Sequence, residues 1–441
     1  MRAPPLLYFW EGNLMEEALE ITSAEVLPAL LDLPWQLPLR EWPEELIAAL
    51  PRGISRHMVR FVKLDGQILA VKEIDEALAR HEYDMLRQLN RLNAPCVEPL
   101  AVISHRFTAS GEALNSVLIT HHLPYSLPYR AVFGQAAIRH STVDRLIDAL
   151  AVLIVRLHLH GYYWGDISLS NTLFRRDAGE FAAYLVDAET GSLQATLSAG
   201  RRENDVDIAR TNIVGELLDL QAGGILDTEF DAIAIGNRLQ AQYSSLWNEL
   251  TSEESFALTE RWRVDNRIRR LNELGFDVGE LAMKTDRNGT FLSIRPKVVD
   301  AGHYSRKLMR LTGLDVEEKQ ARRMMNNMEQ FRMLPENQGQ PLSVVAHQWL
   351  AKVYEPTVRA IPRELRGKLQ PAQLFHEILD HRWFIAENAG HDISLPEAVQ
   401  SYIENVLKDR PNEAAVLTET DSQLHPDIAS NLSEDWSGYM A

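Results

Sequence analysis

A strand-rich region followed by a helix-rich one, an α+β architecture in two lobes, is the fold class this sequence predicts. Three observations predict it. Between residues 56 and 74 two apolar–polar alternations flank Asp65-Gly66, the pattern of a β-hairpin. From Leu146 to Leu159 the chain is almost continuously apolar, which reads as a long helix buried inside a domain. With 441 residues the chain exceeds one ordinary core, so two or three domains are expected.

Taken in order, the N-terminal MRAPPLLYFWEGNLMEEALE has one Arg and early acids and does not read as a signal peptide. MVRFVKL and QILAVKEI are the two hairpin strands. Asp75 offers an N-cap for a helix to about Arg91, ended by Asn93-Ala94-Pro95. Val97–Ser104 and Ser116–His121 are further strands, and Thr142 is the expected cap of the long helix, Val143 to His160, which Gly161 stops. Segments following Asn171 and preceding Asp187 are apolar enough to pair as a second hairpin. Further on, Arg263, Arg267 and Arg270 form a basic helical stripe beside Val264, Ile268 and Leu271. Asn288-Gly289 turns a hairpin between ELAMKT and TFLSIR, and Asp315 with Glu318 begins a helix bearing Arg322 and Arg323.

Composition removes several classes. No run of about 18 apolar residues exists, so no membrane-spanning helix is expected. The lone cysteine, Cys96, excludes an internal disulfide framework, reads as structural and fits a reducing cytoplasm. The net charge of −17 argues against nucleic acid as a partner of the whole chain. Its layout is uneven: residues 261–332 hold 16 Lys/Arg against 10 Asp/Glu, whereas 411–441 hold six acids and no base. Nucleic acid therefore stays open for 261–332, behind a small anionic ligand, because stacking aromatics are not interleaved with the charges. Arg267, Arg270, Arg295, Lys297, His303 and Arg306 are the candidate anion-docking residues; solvated faces salt-bridged to an acidic upstream domain are the competing reading.

The chemistry-bearing residues lie upstream. Asp166, Asn171 and Asp187 fall at the edges of the second hairpin. Phosphoryl transfer uses such a set, one carboxylate for the attacking hydroxyl and an Asn and Asp for divalent metal. Alone, D-x-x-x-x-N is a weak signal; between a buried helix and an apolar strand ending in Asp it is much stronger. Glu82 falls inside the apolar stripe Leu78, Met85, Leu86, Leu89 of its helix, and a carboxylate facing a core needs a cation. Lys72, late in its strand, is the nearest candidate, and the pair would hold the ammonium on nucleotide phosphates. His376 and His381 invite a zinc-protease reading, but five residues put them roughly 140° apart around a helix, not on one face.

With these residues in place the chain resembles the protein-kinase-like superfamily, most closely its lipopolysaccharide-kinase and aminoglycoside-phosphotransferase branches. Their H-G-D-x-x-x-x-N loop reads Trp164-Gly165-Asp166-Ile-Ser-Leu-Ser-Asn171 here, and Leu185-Val186-Asp187-Ala188-Glu189 stands for the metal-binding segment. The resemblance implies a bilobal fold with ATP and Mg²⁺ as cofactors. Asp166 would be the catalytic base, Asn171 and Asp187 metal ligands, Lys72 a phosphate ligand and Glu82 its partner. Leu118–Leu123, with Thr120, His121 and Leu123, would receive adenine. Trp164 departs from the loop His, and no G-x-G-x-x-G precedes Lys72. Only Arg52–His57 is available there, so Ser55, Arg56 and His57 would cover the phosphates.

The whole chain also resembles a bacterial family in which a lipopolysaccharide-kinase-like domain precedes a C-terminal domain of unknown function. Matching stretches include NDVDIARTN from Asn204, GELLDLQAGG from Gly215 and RPKVVDAGHYSRKLMRLTGLDVEEKQARRMMN from Arg295. The expected organisation is an N-terminal extension (1–49), kinase-like N-lobe (50–125) and C-lobe (126–255), a mostly α-helical family-specific domain (256–410) and an acidic tail without a fold (411–441). Transfer of the ATP γ-phosphate to a hydroxyl of a small-molecule or protein acceptor is the leading function. A nucleotide-binding pseudokinase serving as scaffold or sensor, favoured by the missing glycine loop, and an AMP transferase on the same residues are the alternatives.

Overall fold

The computed structural model describes residues 19–48, 50, 56–133, 138–260, 262–285, 291–410 and 412–414, with side chains for all but 258, 279–283, 285, 291, 292 and 294–300. Ser55, the Asn288-Gly289 turn, the first 18 residues and the tail from 415 lie outside the described residues.

Strands β1 (Glu20–Ser23), β2 (Met58–Leu64) and β3 (Gln67–Ile74) are followed by helix α1 (Glu76–Arg91) and by β4 (Pro99–Ser104). A small hairpin, β5 (Arg106–Phe107) and β6 (Ala113–Leu114), leads to β7 (Ser116–His121). The five longer strands form one antiparallel sheet in the order β1-β4-β7-β3-β2. Asp65 and Gly66 both take positive φ, 49° and 77°, as the two central positions of a tight hairpin turn require. Asp75 caps α1 by accepting from the amides of Ala77 (2.9 Å) and Leu78 (3.4 Å).

Residues 27–42, part of the expected N-terminal extension, pack on this sheet. Leu30, Leu33, Trp35, Leu39 and Trp42 join Val62, Leu69, Val71, Ile103 and Ile119 in one core. Arg106, 1% exposed, fastens the segment by donating to Trp35 O (3.1 Å), Leu37 O (2.6 Å), Asn115 O (2.7 Å) and Glu73 Oε1 (2.9 Å). Four acceptors around one guanidinium offset its desolvation. Cys96 is buried, as expected of a structural thiol.

The described residues form two compact units: those within Met1–Leu50, Ile54–Leu123 and Asp187–Glu189 in the first, and those within Pro124–Val186 and Thr190–Ala441 in the second. The second begins with β8 (Leu127–Pro128), α2 (Tyr129–Phe133) and α3 (His140–Leu159). Helix α3 starts before the expected Thr142 cap, and Arg139 at its N-cap makes no side-chain cap bond. Tertiary contact decides the boundary: the His140 ring stacks on Phe230 at 4.2 Å, and Thr142 and Val143 are buried inside the first turn. Gly161 ends the helix with φ 81°; a Cβ there would sit 2.0 Å from Gln194 O, so only glycine fits.

Next come β9 (Tyr162–Tyr163), the hairpin β10 (Thr172–Asp177) and β11 (Glu180–Leu185), β12 (Ser192–Leu193), α4 (Ala199–Ala222) and α5 (Ala232–Thr251). The β10–β11 ladder is the second hairpin the sequence predicts. Strand β13 (Glu254–Ala257), helix α6 (Trp262–Glu273), β14 (Phe276–Thr285) and β15 (Phe291–Ala301) build a sheet in the order β13-β15-β14. Helices α7 (His303–Thr312), α8 (Glu318–Arg332), α9 (Leu342–Trp349), α10 (Glu355–Arg359), α11 (Pro371–Ala389) and α12 (Leu395–Asn405) complete the unit. Their cores centre on Met324, Met328, Trp349 and Phe375, and on Leu374, Ile378 and Tyr402.

Two local expectations need correction. Helix α8 is entered through Glu317, whose amide bonds the Gln320 side chain (3.3 Å), not through Asp315. Glu318 serves the neighbouring helix, accepting from the amides of Tyr304 (2.8 Å) and Ser305 (3.0 Å), because Gly302 at the N-cap of α7 has no side chain to offer. Glu413, expected in the tail, is buried and pairs with Arg176 at 2.7 Å. No helix among the described residues is long and apolar enough to cross a membrane.

Candidate active site

In the first unit Lys72 stands on β3, opposite Leu118 of β7. Its Nζ lies 2.9 Å from Glu82 Oε2, 2.9 Å from Asp187 Oδ2 and 3.6 Å from Glu189 Oε2. The hydrophobic face of α1 explains Glu82: Ala79, Tyr83, Leu86 and Leu89 are buried around it, and Glu82 itself is 1% exposed. Burial, reinforced by the Asp187 charge, pushes Glu82 up to about 7 against the pull of Lys72. Burial draws the Lys72 ammonium down, but the charges and hydrogen bonds of Glu82 and Asp187 outweigh it, leaving its pKa above the ordinary value. The Ala188 amide donates to Glu82 Oε1 (3.4 Å), the Glu189 amide to Asp187 Oδ1 (3.0 Å), and His57 Nε2 lies 2.9 Å from Glu189 Oε2. Among the described residues Glu82, Asp187 and Glu189 are the one group whose potential ligand atoms all fall within 4.8 Å of one another. That all-oxygen set suits a hard divalent cation. Thr120 and His121 end β7, facing Ala70 and Leu69 in the ladder, and with Leu123 they are half-buried.

In the second unit helix α4 shapes the loop that carries Asp166. Asp205, fully buried, accepts from the amides of Trp164 (2.8 Å) and Gly165 (2.8 Å) and meets His158 Nε2 at 3.1 Å. Burial lowers the His158 pKa, with Asp205 opposing. Trp164 is itself buried, so the loop is anchored by an indole where the resemblance expects an imidazole. Two turns along α4, Asn212 Nδ2 donates to Asp166 Oδ1 (3.2 Å) and Ile167 O (3.1 Å). One turn further, Glu216 accepts from the amides of Leu169 (2.7 Å) and Ser170 (2.9 Å), and burial raises its pKa. Asn171 Nδ2 donates to Asp166 O (3.0 Å) and Oδ2 (3.2 Å), and Asn171 O accepts from the Val186 amide (3.1 Å). Each Asp166 oxygen thus receives a side-chain amide N–H, which fixes the carboxylate.

Asp205, Asn212 and Glu216 carry no role in the sequence reading. A signal was there: the three fall at i, i+7 and i+11, one helical face, beside the buried stripe Val206, Ala209, Ile213, Leu217, Leu220. That is the argument that singled out Glu82.

Among the described side chains, the candidate docking residues Arg267, Arg270, His303 and Arg306 are matched with acids of their own unit. Arg267 is 2% exposed and donates to Glu249 O, Ser252 O and Glu254, so it belongs to the interior rather than to a docking face. Arg270 meets Glu249 at 3.0 Å and Arg263 meets Glu254 at 2.6 Å. Arg306 pairs with Asp277 (2.5 Å), which also receives His303 Nδ1. Acids from α5 and β13, the two elements just before the basic run, neutralise the stripe. Arg295 and Lys297 lie on β15, with side chains outside the described ones. His376 pairs with Asp380 (3.1 Å) and Arg323, while His381 bonds Ser401 (2.9 Å), so the two share no ligand position.

Residues 62–213 match the lipopolysaccharide kinase (Kdo/WaaP) family, and residues 245–407 match the domain of unknown function DUF4032. No curated protein matches the chain. Among solved structures, WaaP in complex with acyl carrier protein is similar over 52% of this chain and 90% of that chain, at 16% identity and a TM-score of 0.32. The α+β fold and both matches agree with the sequence reading: residues 62–213 form a lipopolysaccharide kinase (Kdo/WaaP) family domain, followed by a DUF4032 domain at 245–407.

Proposed function

We propose that this chain is a kinase-like phosphotransferase that moves the ATP γ-phosphate to a hydroxyl of a small-molecule or protein acceptor, with Mg²⁺ as its metal. The observation that carries the reading is the buried Lys72–Glu82 pair at 2.9 Å, which holds an ammonium beside Asp187 and gives nucleotide phosphate a fixed cation. Lys72 binds phosphate and Glu82 orients it. Asp166 accepts the acceptor's hydroxyl proton as the new O–P bond forms and the bond to the β–γ bridging oxygen breaks, releasing ADP. Asp187 and Asn171 are the Mg²⁺ ligands; the Asn171 amide nitrogen is engaged by Asp166, so its oxygen is the donor to metal. Bound Mg²⁺ supplies charge neutralisation on the phosphates. By family resemblance Thr120, His121 and Leu123 receive adenine; Ser55, Arg56 and His57 would cover the phosphates in place of the glycine-rich loop that the resemblance expects and this chain lacks. We take the kinase-like lobes as 50–125 and 126–255 and the family-specific domain as 256–410. A single, buried cysteine supports a cytoplasmic setting.

A second reading, a nucleotide-binding pseudokinase, is favoured by the absence of a glycine-rich sequence in Arg52–His57. Melting curves with ATP, with and without Mg²⁺, followed by intact mass after incubation alone and with cell extract, separate the two. The phosphotransferase reading expects Mg²⁺-dependent stabilisation and gain of one phosphate on the chain or an acceptor. Stabilisation without mass gain favours the pseudokinase, gain of AMP points to nucleotidyl transfer, and no stabilisation removes nucleotide from the account.

A further inference from the structure

The β10–β11 hairpin makes far more buried polar contacts with the C-terminal domain than a surface hairpin needs. Tyr184 donates its hydroxyl to Glu317 Oε1 at 2.5 Å. The same oxygen meets Arg175 Nη1 at 3.4 Å, and the Arg175 guanidinium lies 5.4 Å over the Tyr184 ring. At the hairpin turn the Asp177 carboxylate accepts from the amides of Lys319 (3.0 Å) and Gln320 (2.7 Å), capping α8 from outside. The Gln320 side chain donates back to Arg176 O (3.0 Å), and the Ala178 amide donates to Gln373 Oε1 (3.1 Å). Arg176 is closed off by Glu413. Arg176, Asp177, Gln320, Gln373 and Glu413 are all buried. Displacing the hairpin would break this whole set of buried hydrogen bonds at once, so its position is tied to the C-terminal domain.

The grip lies near the candidate metal ligand. In the ladder Tyr184 faces Leu173, two residues beyond Asn171, which is about 7 Å along a strand. Asn171 O receives the Val186 amide at the hairpin base. Glu317 thus holds the rung next to the base, and Asp177 holds the turn at the far end.

We propose that the DUF4032 domain is a brace for this hairpin and that Glu317 is a positioning residue, acting through Tyr184 to fix Asn171 for divalent metal. The metal part of the inference rests on the phosphotransferase reading; the brace itself does not.

Two readouts on the full chain test it: hydrogen exchange at the Val186 amide, and the Mg²⁺ concentration at half-maximal ATP-induced stabilisation. Tyr184→Phe, which deletes one hydroxyl, and Glu317→Ala should speed Val186 exchange about tenfold and raise the Mg²⁺ midpoint several-fold, the scale of one lost hydrogen bond to a charged group. Glu317→Gln keeps an acceptor for the Tyr184 hydroxyl and should return both readouts towards wild type. Wild-type exchange and midpoint in Tyr184→Phe overturn the proposal, as does a lowered melting temperature with both readouts unmoved. A wild type that ignores ATP at every Mg²⁺ concentration defeats the phosphotransferase reading instead, and Val186 exchange then decides the brace alone.

Discussion

Lys72 and Glu82 meet at 2.9 Å, with Glu82 buried and its side chain 2% exposed. One ammonium there serves three carboxylates, Glu82, Asp187 and Glu189, at 2.9, 2.9 and 3.6 Å. Lys72→Met would leave these charges crowded and uncompensated. Breaking a buried pair by removing one partner costs about 3–5 kcal/mol, so a large fall in urea midpoint is expected. Glu82→Gln keeps the size and an acceptor, and should fall less. Equal midpoints for Lys72→Met and wild type would show that the pair contributes nothing to the fold.

Asp205 holds the loop from below. Asp205→Ala orphans the buried amides of Trp164 and Gly165 and frees His158 on one side. Each stranded group costs about 1–3 kcal/mol, so the variant should lose several kcal/mol in equilibrium unfolding. A loss below about 1 kcal/mol, the scale of an exposed hydrogen bond, would mean that water replaces the carboxylate easily.

Asn212 acts on one Asp166 oxygen. Asn212→Leu keeps the volume and removes the donor, so the carboxylate loses one of its two amide restraints. A hydrogen bond to a charged group is worth about 1.5–3 kcal/mol, and kcat should drop about 10- to 100-fold with the ATP KM unchanged. A rise in KM alone would place Asn212 in binding instead.

How much of this could be read from the sequence depends on distance along the chain. The Asp65-Gly66 turn, the Asp75 cap and the Glu82 position follow from residues within one or two turns, and the structure contains all three. Arg267 looked like part of an exposed stripe because its acceptors, Glu249, Ser252 and Glu254, belong to another element. The true start of α8 was hidden for the same reason, since Asp177 supplies its amides with a partner from 142 residues away. Helical period alone would have flagged Asp205, Asn212 and Glu216, but not which loop they hold.

Asp177 makes a pH prediction. Burial, with the Glu317 charge adding, raises its pKa to about 8, against the pull of the Lys319 and Gln320 amides. In the unfolded chain an Asp titrates near 3.8. The folded state therefore holds the proton more tightly, so this contribution to stability is full below about pH 4 and is lost as pH rises through about 8. Melting temperature should fall between pH 6 and 9 more steeply for wild type than for Asp177→Asn, which cannot ionise. Parallel curves would contradict the assignment.

The central claim, γ-phosphate transfer with Asp166 as base, is tested most directly with ATP labelled at either the γ- or the α-phosphorus. Wild-type chain, Mg²⁺ and cell extract should move γ-label to an acceptor and leave α-label behind. Asp166→Ala should cut that transfer by about 10²–10⁴-fold while still binding ATP. Transfer of α-label, or equal γ-transfer by wild type and Asp166→Ala, would contradict the account.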